Sequence, residues 1–498
     1  MQIFTQLLGG LYLLIVFILS MYGLYNLINA SLYWISKSGS KSKRRIPVLD
    51  KFPKVTIQLP IFNEKYTIER LLASVTRLDY PVDKLQIQVL DDSTDDTAVL
   101  TKNLVDQYKS QGINIEWIHR ADRTGYKAGA LAHGLRSASG ELLAIFDADF
   151  VPAADWLKKT VPYFKNEQLG CLQTRWGHTN RRYNSLTQVE AMAIDGHFIV
   201  EQTVRSRNDF LLNFNGTAGL WRRSCIEDAG GWQWDTLTED LDLSYRAQMR
   251  GWKIDYLPDV VVPGELPPHI EAYKNQQFRW AKGSFQVVRK ILPKLLERSG
   301  LPWHIRLLAL LHITGYGVHP LMLAMLILTL PVGLYAPQAF NLFPLSIIAG
   351  LGPPLVYLSA KASHSPSLAE RIRLLPLLTM TGFGLCLNTS VAVIEGLFGK
   401  GGVFIRTPKL NLQDTQKRGK PVDKAYITPV SPLVWLEIIL GLYALLTAVV
   451  LAPLIGWGVV PWMIIYALGF FYVAGLSLIQ KRESSRKQLH NLAPEKSV

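Results

Sequence analysis

A long polar stretch, about residues 36 to 300, lies between apolar runs long enough to cross a bilayer, and this constrains the chain more than any motif within it. Residues 6 to 34 are almost uninterrupted Leu, Ile, Val, Phe and Tyr, and about 20 such residues in a helix span a hydrocarbon core. The run is too long for an ordinary signal peptide and has neither a basic leader nor a clear small-residue cleavage site, so it reads as a retained helix. Further apolar runs cover about 306 to 334, 342 to 360, 372 to 395, 433 to 455 and 457 to 479.

Lys37, Lys41, Lys43, Arg44 and Arg45 follow the first run, and a Lys/Arg excess beside a membrane helix marks the cytoplasmic side. The N-terminus is therefore expected outside and the polar stretch in the cytoplasm. If every run crossed, the basic tail with Lys481, Arg482, Arg486 and Lys487 would end outside, against the same rule. The run 372 to 395 is the weakest, opened by Arg371 and Arg373 and interrupted by Asn388, Thr389, Ser390 and Glu395. Read as an amphipathic helix in the interface, it leaves five crossings and a cytoplasmic tail. The expected organisation is a transmembrane helix at 1–35, a cytoplasmic α/β domain with interfacial helices at its end at 36–300, and two transmembrane helices at 301–362. An interfacial helix and cytoplasmic loop at 363–430, two more crossings at 431–480 and the tail at 481–498 complete it. The net charge of +14 needs no nucleic acid to explain it. Its clusters flank apolar helices, where anionic lipid is the natural partner. Cys171, Cys225 and Cys386 show no spacing of a disulfide scaffold or zinc site.

Within the polar stretch, Val55 to Leu59 is a β-rich run stopped by Pro60, Leu85 to Leu90 is a second, and Leu142 to Phe146 a third. Helical spacing over Ile68 to Leu78 and Lys127 to Leu135 alternates with them, which predicts a mostly parallel sheet covered on both faces. Ligands of such sheets bind beyond the carboxyl ends of the strands, where Asp91-Asp92 and Asp147-Ala148-Asp149 fall.

Asp147 and Asp149 point the same way in an extended chain and could share Mg²⁺ or Mn²⁺ with phosphate oxygens. Asp92, then Asp91, is the expected nucleotide contact, and Ser93 or Thr94 fits a helix cap. Lys127, in Gly125-Tyr126-Lys127-Ala128-Gly129, supplies an ammonium beside a helix start, suited to a diphosphate. That segment lacks the Walker pattern, so P-loop hydrolysis has no support. The turn Phe214-Asn215-Gly216-Thr217-Ala218-Gly219 would let a substrate approach the backbone. Thr238-Glu239-Asp240 opens a helical pattern after Gly231-Trp232-Gln233-Trp234, and Asp240 there suits a general base on a sugar hydroxyl. Gln276, Arg279 and Trp280 share one helix face, with the arginine able to meet a diphosphate and the indole a sugar ring.

Together, Gln58 to Glu64, Gln88 to Asp95, Asp147-Ala148-Asp149, Thr238-Glu239-Asp240 and Gln276 to Trp280 resemble the family 2 inverting glycosyltransferases of the cellulose synthase type, most of all the plant cellulose-synthase-like mannan and glucomannan synthases. The resemblance implies a GT-A type nucleotide-sugar-binding domain inserted in an α-helical membrane domain. Asp92 would contact the nucleotide, and Asp147 and Asp149 would handle the metal-diphosphate. Asp240 would deprotonate the acceptor 4-hydroxyl, and Gln276, Arg279 and Trp280 would hold diphosphate and acceptor. Phe214, Asn215 and Glu239 are expected on the acceptor side. Phe404-Ile405-Arg406-Thr407 is similar to the Phe-x-x-Thr gating loop of processive members, which pass the growing polysaccharide through their own helices. The family's zinc-binding and cyclic-nucleotide-binding regions are not matched, which argues against cyclic-dinucleotide control.

The expected activity is processive, metal-dependent β-1,4 polymerisation of a glucan, mannan or glucomannan, from UDP-glucose narrowly over GDP-mannose, in a bacterial inner membrane. A nonprocessive enzyme glycosylating ceramide or diacylglycerol is the alternative within enzymes. A nucleotide-binding transporter or scaffold is the alternative outside them, and the few charges in the apolar runs speak against it.

Overall fold

The computed structural model describes residues 2–39, 45–342, 344–361, 366–399, 401–402, 405–414 and 428–492; Phe404, Lys41, Lys43 and Arg44 lie outside them. The polar stretch builds a seven-stranded sheet from β1 (Val55–Ile61), β2 (Leu85–Asp91), β3 (Ile115–His119), β4 (Leu142–Ile145), β5 (Leu169–His178), β6 (Gly219–Arg222) and β7 (Lys253–Gly264). Their order is β3-β2-β1-β4-β6-β5-β7. Pairs β1–β2, β1–β4, β2–β3 and β5–β7 are parallel, while β6 runs antiparallel to β4 and β5. The mostly parallel α/β sheet expected from the alternating pattern is therefore present.

Helices Ile68–Val75, Thr97–Ser110 and Tyr126–Leu135 carry the chain between the first four strands. The first buries Ile68, Leu71, Leu72 and Val75, the helical spacing of an apolar face. These side chains pack on Val55, Ile57, Leu59 and Ile61 of β1. The other face of the strands is buried but polar, with Gln58 donating to Gln88 at 3.0 Å and Gln88 to Glu116 at 2.9 Å.

Pro60 does not stop β1, which continues to Ile61 opposite Asp91. The Gln58 carbonyl faces β4, accepting from Phe146 N, so Pro60, two residues on, turns its missing N–H to the same side. The β4 ladder has already ended at Gln58 opposite Ile145, and no hydrogen bond is lost. The expected Ser93 or Thr94 cap is also corrected. The next helix begins at Thr97, whose N–H donates to Asp95 Oδ1 at 2.9 Å, while Ser93 Oγ accepts from Asn63 N.

Because β2 lies on one side of β1 and β4 on the other, the chain reverses its winding there, and the crevice beyond their carboxyl ends is the topological switch point. Asp92 and Asp147 to Asp149 flank it.

Among the described residues, four helices are long and apolar enough to cross a membrane: Gln2–Ser36, Gly315–Tyr335, Leu433–Ile455 and Trp457–Glu483. Leu368–Gly384 and Cys386–Phe398 together pass the same test but are bent by 45°. Pro344–Ser359, with Pro353 and Pro354 inside it, packs along the first helix. The approach is close: a Cβ on Gly352 would fall 2.2 Å from the Gly23 carbonyl oxygen.

The helix Ile270–Glu297 joins the sheet domain to these helices. Lys274 Nζ lies 2.8 Å from Glu437 Oε1 and 3.3 Å from Ser477 Oγ, on two different apolar helices, with the charges fully buried. A buried charge left alone is costly, whereas removing both can be neutral. Lys274→Met should therefore destabilise the detergent-solubilised protein by about 3–5 kcal/mol, read as a lowered thermal transition. Lys274→Met with Glu437→Leu should recover most of the loss.

Candidate active site

The site begins where β1 and β2 end. Asn63 sits in the left-handed region, φ 55°, which asparagine tolerates better than most residues. It ties the two strand ends together, its Oδ1 accepting from Thr94 N at 2.8 Å. Asp92 lines a cavity of about 200 Å³ and is gripped by the Arg120 fork, with Nε 2.7 Å from Oδ1. Such two-pronged pairs fix orientation as well as charge. The neighbouring Asp91, expected as a second nucleotide contact, is turned away. It is fully buried and accepts from Trp117 Nε1 and Ser93 N, each at 2.9 Å, and it does not line the cavity. Adjacent strand residues face opposite ways, so only one of the pair can reach the crevice.

Asp147 and Asp149 both line the cavity from the segment after β4. Lys127, in the first turn of helix Tyr126–Leu135, pairs with Asp147 and donates to the Gly216 carbonyl at 2.9 Å. The lysine thus pins the 214–219 turn against the acidic pair. Gly216 has φ 84°, and a Cβ there would lie 3.0 Å from Asp240 Oδ2; the turn is where backbone approaches the site closely. Asn215 lines the cavity, but Phe214 does not. Its ring is fully buried against Trp221 and Gly219, so the acceptor contact expected of it is corrected to a core role.

Asp240 and Glu239 occupy the first turn of helix Glu239–Met249 and line the cavity. Burial, then the neighbouring Glu239 carboxylate, pushes the Asp240 carboxyl up to about 7, with Lys127 and the Leu241 N–H pulling the other way. Gln276, Arg279 and Trp280 converge on the same cavity from the joining helix. The Arg279 guanidinium lies in the field of Glu239, Asp147 and Asp240 and donates to the Ile405 carbonyl at 3.3 Å.

The segment 405–414 closes over this site. Arg406 donates to the Asn63 carbonyl and lies 3.4 Å from Glu64, and Thr407 lines the cavity. Lys409 Nζ sits 2.9 Å from Asp149 Oδ2. Leu410 N and Leu412 N donate to the two Glu265 carboxylate oxygens at 2.7 and 3.0 Å. Arg123, Glu64, Glu265 and Lys409 also line the cavity and were missed by sequence reasoning. For Lys409 the signal was its place two residues after Thr407, and for Glu64 its place in the β1 motif. Glu265 directly follows β7, the same strand-end logic that found Asp92.

Two lysines therefore stand on the two carboxylates of Asp147-Ala148-Asp149. As a donor set for Mg²⁺ or Mn²⁺ these two acids fit a site completed by phosphate oxygens, the usual habit of an ion that dehydrates reluctantly. Among the described residues no cluster of three or more His, Cys, Asp or Glu could cage a metal alone.

Residues 53–283 match the model of the glycosyltransferase like family 2. A probable glucomannan 4-beta-mannosyltransferase 11 of Oryza sativa subsp. japonica is 42% identical over 256 residues, 50% of this chain and 44% of that protein. Glucomannan 4-beta-mannosyltransferase 9 of Arabidopsis thaliana is 44% identical over 258 residues, 50% of this chain and 48% of its own. The chain thus spans about half the length of the curated relatives it matches. Among solved structures, a mannosyltransferase of Pyrobaculum calidifontis in complex with GDP-Man and Mn²⁺ shares 23% identity at a TM-score of 0.49, covering 78% of this chain and 99% of that one. Sheet, acidic strand ends and sequence kinship agree: residues 53–283 form a GT-A-like domain that matches the family 2 glycosyltransferases, and half of the chain is similar to the cellulose-synthase-like glucomannan mannosyltransferases.

Proposed function

We propose that the protein is an inverting hexosyltransferase that extends a β-1,4-linked mannan or glucomannan and passes it into the membrane. The observation that carries this reading is that two cavities share a wall. Asp240, Asn215, Thr238, Trp176 and Trp280 line both the site and a larger cavity of about 680 Å³ walled by Tyr22, Tyr316, Tyr357 and Trp462 of the apolar helices. A product chain leaving Asp240 past Trp280 would enter that cavity directly. The names of both plant relatives favour a mannosyl donor over the UDP-glucose expected from sequence.

In this reading Asp92 meets the nucleotide, while Lys127, Arg279 and Gln276 meet the diphosphate. Asp149 and Asp147 would hold the divalent cation, which supplies positive charge to the leaving diphosphate. Asp240 takes the proton of the acceptor hydroxyl as its oxygen bonds to the anomeric carbon from the face opposite the departing diphosphate, so an α-linked donor gives a β-linked product. Glu239 and Asn215 line the acceptor side, Trp280 stacks on the acceptor sugar, and segment 405–414 closes the donor in. The proposed membrane arrangement counts Pro344–Ser359, shorter than the four long apolar helices, as the fifth crossing and takes the region 372–395 within the bent pair as interfacial, with an outside N-terminus and a cytoplasmic site. Both curated relatives are plant proteins, which gives a bacterial inner membrane no support.

Purified protein in lipid vesicles, given labelled GDP-mannose or UDP-glucose with Mn²⁺ or Mg²⁺, should make a long product cut by β-1,4-mannanase. A product cut only by β-1,4-glucanase would reassign the donor, and a short organic-extractable glycolipid would overturn polymerisation. Since Asp240 acts as a base only when ionised and its carboxyl is held near 7, turnover should decline as pH falls below neutrality. Asp240→Asn should retain donor binding and lose about 10²–10⁴-fold in transfer. Unchanged transfer in that variant would remove Asp240 from the chemistry.

A further inference from the structure

The turn that touches Asp240 is held by a histidine that the proposed reaction leaves without a role. Asn215 stands directly before Gly216, lines the site, and is the one residue of 211–221 that is not buried. Its side chain is bound from the segment after helix Ser185–Asp195, which opens into a π-helical turn, Gly196–Glu201, before helix Gln202–Arg207. Such turns between helices recur at functional sites. This one sets His197 and Gln202 on the Asn215 amide, with Gln202 Nε2 2.8 Å from Asn215 Oδ1 and His197 Nε2 3.1 Å from Asn215 Nδ2. The turn is also tightly packed: a Cβ on Gly196 would fall 2.7 Å from the Tyr357 ring.

The polarity of these hydrogen bonds follows from one backbone carbonyl. The Asn213 carbonyl can only accept, so the Gln202 atom 3.1 Å from it is the amide nitrogen. That nitrogen's second hydrogen meets Asn215 Oδ1, which turns Asn215 Nδ2, a donor, toward His197. His197 Nε2 therefore accepts, and its proton sits on Nδ1, 2.8 Å from Glu201 Oε2. A carboxylate on the far nitrogen fixes both tautomer and ring orientation. Glu201 is itself held, its Oε1 accepting from Tyr25 of the first apolar helix at 2.8 Å and from Arg205 at 3.2 Å. The Asn215 backbone is fixed as well, its N–H donating to Gln173 Oε1 at 2.8 Å. One Nδ2 hydrogen of Asn215 is left for a ligand, one residue before the backbone that abuts Asp240. His197 does not line the site cavity, so it can reach the site only through Asn215.

We propose that His197, as the neutral Nδ1–H tautomer, is a positioning residue for transfer: it holds the Asn215 amide with its remaining N–H toward the acceptor, so that a sugar hydroxyl rather than water is offered to Asp240. The role rests on the reading of Asn215 as an acceptor-side residue. In the test, the full chain in lipid nanodiscs is given labelled GDP-mannose or UDP-glucose with Mn²⁺, and hexose bonded to an acceptor is counted beside free hexose. Both products release the nucleoside diphosphate; they differ in whether a sugar hydroxyl or water bonds to the anomeric carbon as its proton passes to Asp240. His197→Ala should lower transfer about tenfold, the order of one hydrogen bond, and raise the share of free hexose, while the donor KM stays within about twofold. His197→Gln, whose amide can donate to Glu201 and accept from Asn215, should transfer within about threefold of wild type. His197→Lys, a donor only, should not. In an Asn215→Ala background, His197→Ala should cost nothing further. The proposal is overturned if His197→Ala transfers like wild type, if its loss leaves the free-hexose share unchanged, if His197→Gln is no better than His197→Ala, or if the losses from His197→Ala and Asn215→Ala add. Should His197→Ala fail to fold, the contrast between His197→Gln and His197→Lys decides. Wild-type transfer by Asn215→Ala would overturn the acceptor-side reading of Asn215 and the role of His197 with it. A wild-type glycolipid would overturn polymerisation alone, with the free-hexose share still deciding His197.

Discussion

Two carboxylates two residues apart, Asp147 and Asp149, project from the end of β4, and each is met by a lysine from another part of the chain. Like charges this close are tolerable only when opposed, and the way they are opposed assembles the site. Lys127 brings the start of its helix and, through the Gly216 carbonyl, the turn that touches Asp240. Lys409 brings the 405–414 segment, with Glu265 holding that segment's backbone N–H groups. The acidic pair, Asp240 and the 405–414 segment are thus linked through one electrostatic contact region at a strand end.

The same region is tied to the membrane helices by one element. The helix Ile270–Glu297 carries Lys274 into a buried charge cluster with the apolar helices and, within the next two turns, Gln276, Arg279 and Trp280 into the cavity. Its Ser284 also donates to the Ile313 carbonyl at 2.6 Å. The site cavity and the larger cavity are consequently walled by the same helix, with Trp280 lining both.

Much of this was readable from the chain. A β-rich run that ends abruptly in acids puts those acids at the carboxyl edge of a parallel sheet, and Asp92, Asp147 and Asp149 are there. Helical spacing placed Gln276, Arg279 and Trp280 on one face, and they converge. What failed had local causes. Asp91 and Phe214 are neighbours of true lining residues; strand alternation turns Asp91 inward onto Trp117, and Phe214, in the irregular stretch before β6, packs on Trp221. Lys409, Glu265 and Glu64 gain their meaning only from partners more than a hundred residues away, such as Lys409 on Asp149 or Arg406 beside Glu64.

The proposed route takes the product from Asp240 through the cavity between the apolar helices. Electron cryomicroscopy of the protein in nanodiscs, frozen during turnover with donor and divalent cation, addresses it most directly. On that route, sugar density runs from Trp280 toward Tyr316 and Trp462. Lipid density filling that cavity, with product confined to the sheet-domain side of Trp280, would contradict it.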